Sequence, residues 1–122
     1  MTASRRTTGR DGAQERRRSA RYPLGIDALL YHNGVPVVRG RTRDIGLEGA
    51  YVETGASMHD PGAELELELA LRSETGIERH RTVARVRHVS RAGLGVAFEG
   101  FDTSLHRRLR RILRGAGEAG PP

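Results

Sequence analysis

The side chains with the most chemistry to offer in this chain of 122 residues are arginines, and they fall in groups. The first group is Arg16-Arg17-Arg18-Ser19-Ala20-Arg21. A guanidinium is planar, permanently charged and able to form paired hydrogen bonds to phosphate oxygens or to a guanine edge, so the cluster suits an anionic ligand. It reads equally as a solvated basic arm or a nonspecific nucleic-acid contact. The second group is Asp44-Ile45-Gly46-Leu47-Glu48-Gly49, a carboxylate acceptor followed by glycines. Taken alone, those glycines are turn punctuation between strands. Two further series, Arg39, Arg41, Arg43 and Arg79, Arg81, Arg85, Arg87, stand against an acidic one, Glu64, Glu66, Glu68. They predict exposed strand faces covered by cross-strand ion pairs, each contributing little to stability. Arg43, which adjoins the Asp44 segment, is the exception to watch.

What is missing narrows the function. There is no cysteine, and the five histidines show no ligand-like pairing, so no metal site is expected. No serine sits in a nucleophile-elbow sequence and no phosphate-cradling loop is present; the expectation is a protein without catalytic residues or cofactor. Ser4-Arg5-Arg6 matches the start of a twin-arginine signal, but Thr7-Thr8-Gly9-Arg10 follows where an apolar stretch is required, so no export is expected. The apolar runs are far shorter than the roughly 20 residues that cross a bilayer, which predicts a soluble protein without membrane insertion, and the lack of cysteine fits a reducing cytoplasm. The formal net charge of +6 and pI of about 11.1 come entirely from arginine, since there is no lysine.

The elements that must position these groups follow from periodicity. Residues 1–15 offer no apolar face and are expected to form a disordered arm, residues 16–114 a single domain, and residues 115–122 a disordered tail. Tyr22-Pro23-Leu24 opens an extended segment through Ile26, Ala28 and Leu30. Asn33-Gly34 favours a type I′ turn, and a return strand runs from Val35 towards Thr42. A turn over Asp44 to Gly49 leads to a short strand, Ala50 to Glu53. Glu64 to Leu71 alternates almost perfectly and predicts a half-buried strand, although leucine and glutamate individually favour helix. Residues 79–89 form a longer strand in which the spacing of Val83, Val86 and Val89 implies a bulge or uneven burial. Leu94, Val96 and Phe98 line a last strand. Leu105, Leu109, Ile112 and Leu113 then form one stripe of a helix, with N-cap candidates at Asp102-Thr103-Ser104 and a stop at Gly115.

In order and spacing, two of these segments resemble the motifs of PilZ domains. Arg17-Arg18-Ser19-Ala20-Arg21 is similar to the family's RxxxR, at the junction of arm and first strand. Asp44-Ile45-Gly46-Leu47-Glu48-Gly49 is similar to its [D/N]xSxxG loop, flanked by the family-like Thr42-Arg43 and Ala50-Tyr51-Val52. Leu94-Gly95-Val96-Ala97-Phe98 resembles the segment that closes the barrel, so the similarity extends over residues 15 to 113. It implies an all-β fold, a small six-stranded antiparallel barrel of split-barrel type with a C-terminal α-helix. It also implies a ligand, the bacterial second messenger cyclic di-GMP, with a downstream protein partner. The family's arginine roles nominate Arg17 and Arg21, with Arg18 as a helper. Asp44 would accept from guanine N1–H and N2–H₂, and Gly49 would permit positive φ and close backbone approach. Gly46 stands where the family has serine. A lost hydrogen-bonding partner costs about 0.5–3 kcal/mol, roughly a few-fold to a hundred-fold in affinity. Serine restored at position 46 is therefore expected to tighten binding, unless Gly46 holds a positive φ.

Three functions compete on this basis. The first is a cyclic di-GMP effector for signalling, the ligand held between the arm and the Asp44 loop. The second is an adaptor of the same fold that works through protein contacts without the nucleotide. The third, a barrel binding single-stranded nucleic acid, ranks last because such platforms use stacking aromatics and the chain has only Tyr 3, Phe 2 and no Trp.

Overall fold

A computed structural model of the protein describes residues 20–55, 59–99 and 103–118, the side chains of 116–118 excepted. The expected arm, with Arg17 and Arg18, and Asp102 lie outside the described residues. The chain enters at a short strand, β1 (Arg21–Tyr22), which ends at Pro23, a residue with no N–H to give a ladder. Leu24 to Ile26 is then pinned by one buried threonine. Thr42 donates its hydroxyl to Leu24 O (2.6 Å) and accepts from Ile26 N–H (2.8 Å), while its own N–H bonds Ile26 O (2.9 Å). The single extended segment expected from Tyr22 to Leu30 is thus two strands separated by a tethered crossing. The second, β2 (Asp27–His32), turns through Asn33 and Gly34 at φ 54° and 80°, the left-handed pair that the Asn-Gly signal predicts.

The return strand β3 (Val35–Gly46) runs past Thr42, and the turn expected over Asp44–Gly49 shrinks to Leu47-Glu48 before β4 (Gly49–Glu53). Length gives β3 three partners: β2 along its first part, β4 from Arg41 to Ile45, and β1 at Ile45 and Gly46. The strands β5 (Glu64–Ser73), β6 (Gly76–Val89) and β7 (Gly93–Glu99) complete an antiparallel sheet ordered β1-β3-β2-β5-β6-β7-β4. Pairing of β4 back to β3 closes six of these strands into a barrel, with β1 as an extra strand. The predicted irregularity in β6 is present as a register shift between Val86 and His88. Its core residues are Ala84 and Val86, whereas Val83 and Val89 are half-buried.

In β5 the alternation is realised in full, with Leu65, Leu67, Leu69 and Leu71 buried and the glutamates facing out. Burying each leucine contributes about 1.5–3 kcal/mol, enough to override the helical preference of a Leu-Glu sequence. The outer face carries the expected ion pairs. Arg81 reaches Glu66 (3.5 Å) and Glu68 (3.6 Å), and Arg85 pairs with Glu99 through Nε–Oε2 (2.6 Å) and Nη2–Oε1 (3.0 Å). The helix α1 (Thr103–Glu118) inserts Leu105, Leu109 and Leu113 into the same core, beside the 24–27 segment and the β5–β6 hairpin. It passes through Gly115, the residue expected to stop it.

Candidate functional site

The site is made by a bulge. Across β3 and β4, Thr42 faces Val52 and Asp44 faces Tyr51, so Arg43 is the extra residue on its strand. Strict alternation from buried Thr42 would turn Asp44 inward and Ile45 outward. With one residue inserted, Arg43 and Asp44 both remain on the outer side, and Ile45 is completely buried.

On the opposite edge of β3 lies β1, with Arg21 paired to Gly46 and Tyr22 to Ile45. This brings the last arginine of the arm motif onto the loop motif. Arg21 Nη1 donates to Asp44 Oδ1 at 3.0 Å, and Arg43 Nε approaches Asp44 Oδ2 at 3.4 Å. The Arg43 guanidinium lies 3.9 Å from the centroid of the Tyr51 ring, and the Tyr51 hydroxyl is hydrogen-bonded to Ser90 Oγ, which fixes the platform from below. The side chains of Arg21 and Asp44 are 43% and 25% exposed. An ion pair this open contributes at most about 1 kcal/mol, so an incoming anion or guanine can replace it at low cost.

The two glycines serve close approach. Neither has a positive φ, so of the two freedoms Gly49 offers the fold uses close approach. A Cβ on Gly49 would overlap the Val96 carbonyl oxygen and come within 3.2 Å of Arg21 Nη2. The guanidinium therefore rests against Gly49 while it holds Asp44, touching both ends of the motif. At Gly46 the neighbour is the arm junction itself. A Cβ there would overlap the Ala20 carbonyl oxygen and lie 3.3 Å from its carbon. The family's serine has no room while β1 is docked, and the absent hydroxyl is matched by backbone that occupies its place.

Of the nominated residues, Arg21, Asp44, Gly46 and Gly49 come together, and Arg17 and Arg18 lie outside the described residues. The stacking of Arg43 on Tyr51 is new; its only sequence signal was an arginine adjoining the Asp44 segment. Among the described residues no His, Asp and Glu cluster could hold a metal ion, and no helix is long and apolar enough to cross a membrane.

The fold is similar to three solved structures. The inhibitor of motility MotI/DgrA of Bacillus subtilis superposes with a TM-score of 0.67 at 20% identity, covering 81% of this chain and 52% of that one. The PilZ domain of CeSA from a cellulose-synthesizing bacterium gives 0.61 at 17% identity, covering 81% and 99%. Escherichia coli YcgR, solved in complex with cyclic di-GMP, gives 0.67 at 18% identity, covering 85% and 47%. The chain thus spans about half the length of MotI and of YcgR. No curated protein matches it in sequence. The family model for the PilZ domain matches residues 15–115, nearly the whole of the described fold, and the chain belongs to the PilZ domain family.

Proposed function

We propose that this protein is a cytoplasmic, non-enzymatic cyclic di-GMP effector, the nucleotide held between the arm arginines Arg17, Arg18 and Arg21 and the segment Asp44 to Gly49. The observation that carries this reading is the meeting of Arg21 with Asp44 and Gly49, which joins the two motifs in one solvent-open place. Two phosphates and two guanines need permanent positive charge, flat cationic surfaces and a carboxylate for the guanine N1–H and N2–H₂ edge. Arg21 and Arg43 supply the first two and Asp44 the third. In the free protein these groups neutralise one another. Binding exchanges the Arg21–Asp44 pair for ligand contacts, and the displaced β1 alters the surface offered to a protein partner.

A second reading, an adaptor that does not bind the nucleotide, draws support from one observation. Ala20 fills the space of the missing serine, so β1 sits closed over the motif. Binding of fluorescent cyclic di-GMP to the wild-type protein, Arg17→Ala and Arg21→Ala separates the two, since the adaptor reading expects no binding even by wild type. The effector reading expects each variant to lose about tenfold or more in affinity, equivalent to about 1.4 kcal/mol, with the fold intact. If both variants bind as wild type does, the arm is only a basic tail and the site is misplaced.

A further inference from the structure

The arginines of α1 are not absorbed by the nucleotide site. Arg107, Arg110, Arg111 and Arg114 are exposed, and among the described residues none has a carboxylate partner. They stand at i, i+3, i+4 and i+7, so each repels its neighbours along the helix, and α1 has no acidic residue before Glu118 to offset this. Like charges packed in this way weaken the free helix and reward whatever neutralises them. Arg108, one turn before Ile112 and so on the groove side of the helix, is already engaged. It bonds Arg72 O (3.0 Å), and its Nε lies 3.3 Å from Glu78 Oε1 as an ion pair without hydrogen-bond geometry.

Beside this ridge is a groove of about 300 Å³ walled by Leu24, Leu71, Ile77 and Ile112, with the exposed Arg72 and the ion pair of Arg41 and Asp27 at its edge. Ile77 is 59% exposed, an unusual position for an isoleucine. Ile112 is half-buried, and Arg111, the residue before it, lies about 100° away around the helix. The basic ridge therefore begins beside the groove, with the Glu78-paired Arg108 between the two.

We infer that this surface docks an acidic amphipathic segment of a partner protein, an apolar side chain entering between Ile77 and Ile112 while carboxylates at one-turn spacing meet Arg107, Arg111 and Arg114. The chemistry selects protein over the other polyanions. A phosphate backbone offers nothing to the isoleucines, and Tyr31 and Tyr51 are covered by Arg81 and Arg43, so neither is free to stack on bases. A bilayer would demand the apolar face of α1, but Leu105, Leu109 and Leu113 are committed to the core. The inference does not depend on the nucleotide reading.

Fluorescence anisotropy on the full chain tests it. The probe is a labelled helical peptide with a leucine ridge flanked by glutamates one turn apart; its scrambled isomer, duplex DNA and phosphatidylserine vesicles are the comparisons. The peptide should bind saturably, and both Ile77→Asp and the double change Arg107→Glu, Arg111→Glu should weaken it about tenfold or more. The double variant should melt no lower than wild type, because it relieves like-charge neighbours. The inference is overturned if the peptide does not bind or its scrambled isomer binds equally. It is equally overturned if the folded variants keep wild-type affinity, or if DNA or vesicles bind more tightly and lose that binding in the same variants.

Discussion

At the scale of single residues, Gly46 decides how the departure from the family motif is read. On sequence alone, restoring serine looks like restoring a contact. In the folded protein a Cβ at this position overlaps the Ala20 carbonyl, and backbone paired across β1 and β3 yields only by moving β1. Gly46→Ser and Gly46→Ala should therefore both destabilise the free protein by about 1–3 kcal/mol, the usual range for overpacking, measured by denaturant unfolding. The serine variant should nonetheless bind cyclic di-GMP more tightly than the alanine variant, since only it returns the hydroxyl. Unchanged unfolding midpoints for both would show that β1 is not seated on Gly46. Asp44→Ala separates function from stability in the opposite sense. Its ion pairs are solvent-open, so unfolding should shift by less than about 1 kcal/mol, while nucleotide affinity should fall tenfold or more.

At the scale of elements, Thr42 and the β3 bulge set the geometry. Thr42→Val keeps the shape but leaves the Ile26 N–H and Leu24 carbonyl without their side-chain partner, at an expected cost of about 1–3 kcal/mol in unfolding free energy. Between β6 and β7, the hydrogen bond from Arg85, joined by its charge, holds the Glu99 carboxyl below the ordinary glutamate range. A depressed folded-state pKa means that the unfolded chain binds the proton first as pH falls. The stabilisation is present above the usual carboxylate range and is lost as pH drops through the folded value. Glu99→Gln should accordingly flatten the acid limb of the stability profile, read as melting temperature against pH. How legible these elements were depends on whether their cause is local. Asn33-Gly34, the alternation from Glu64 to Leu71 and the irregular valines of β6 announce themselves within a few residues. The β3 bulge does not, because Thr42-Arg43-Asp44-Ile45 acquires its register from Val52 and Tyr51 on β4. Nor does β1, whose pairing with Gly46 reaches across the whole β2–β3 hairpin in sequence, nor the passage of α1 through Gly115.

At the scale of the whole molecule, an excess of arginine is divided between distinct tasks. Arginines on β6 neutralise the glutamates of β5 and β7, Arg21 and Arg43 gather on Asp44, Arg108 of α1 pairs with Glu78, and Arg107, Arg110, Arg111 and Arg114 have no carboxylate partner among the described residues. The motifs that meet at Asp44 were legible as a family pattern. Their closure in the free protein was not, because it depends on where the Ala20 backbone lies. We propose that this closed pair of motifs opens to take cyclic di-GMP, and calorimetric titration of the wild-type protein with cyclic di-GMP, beside GTP and cyclic di-AMP, is the test. Saturable binding of cyclic di-GMP is expected, with none comparable for either control; a folded protein that gives no binding of cyclic di-GMP, or binds all three alike, would rule the proposal out.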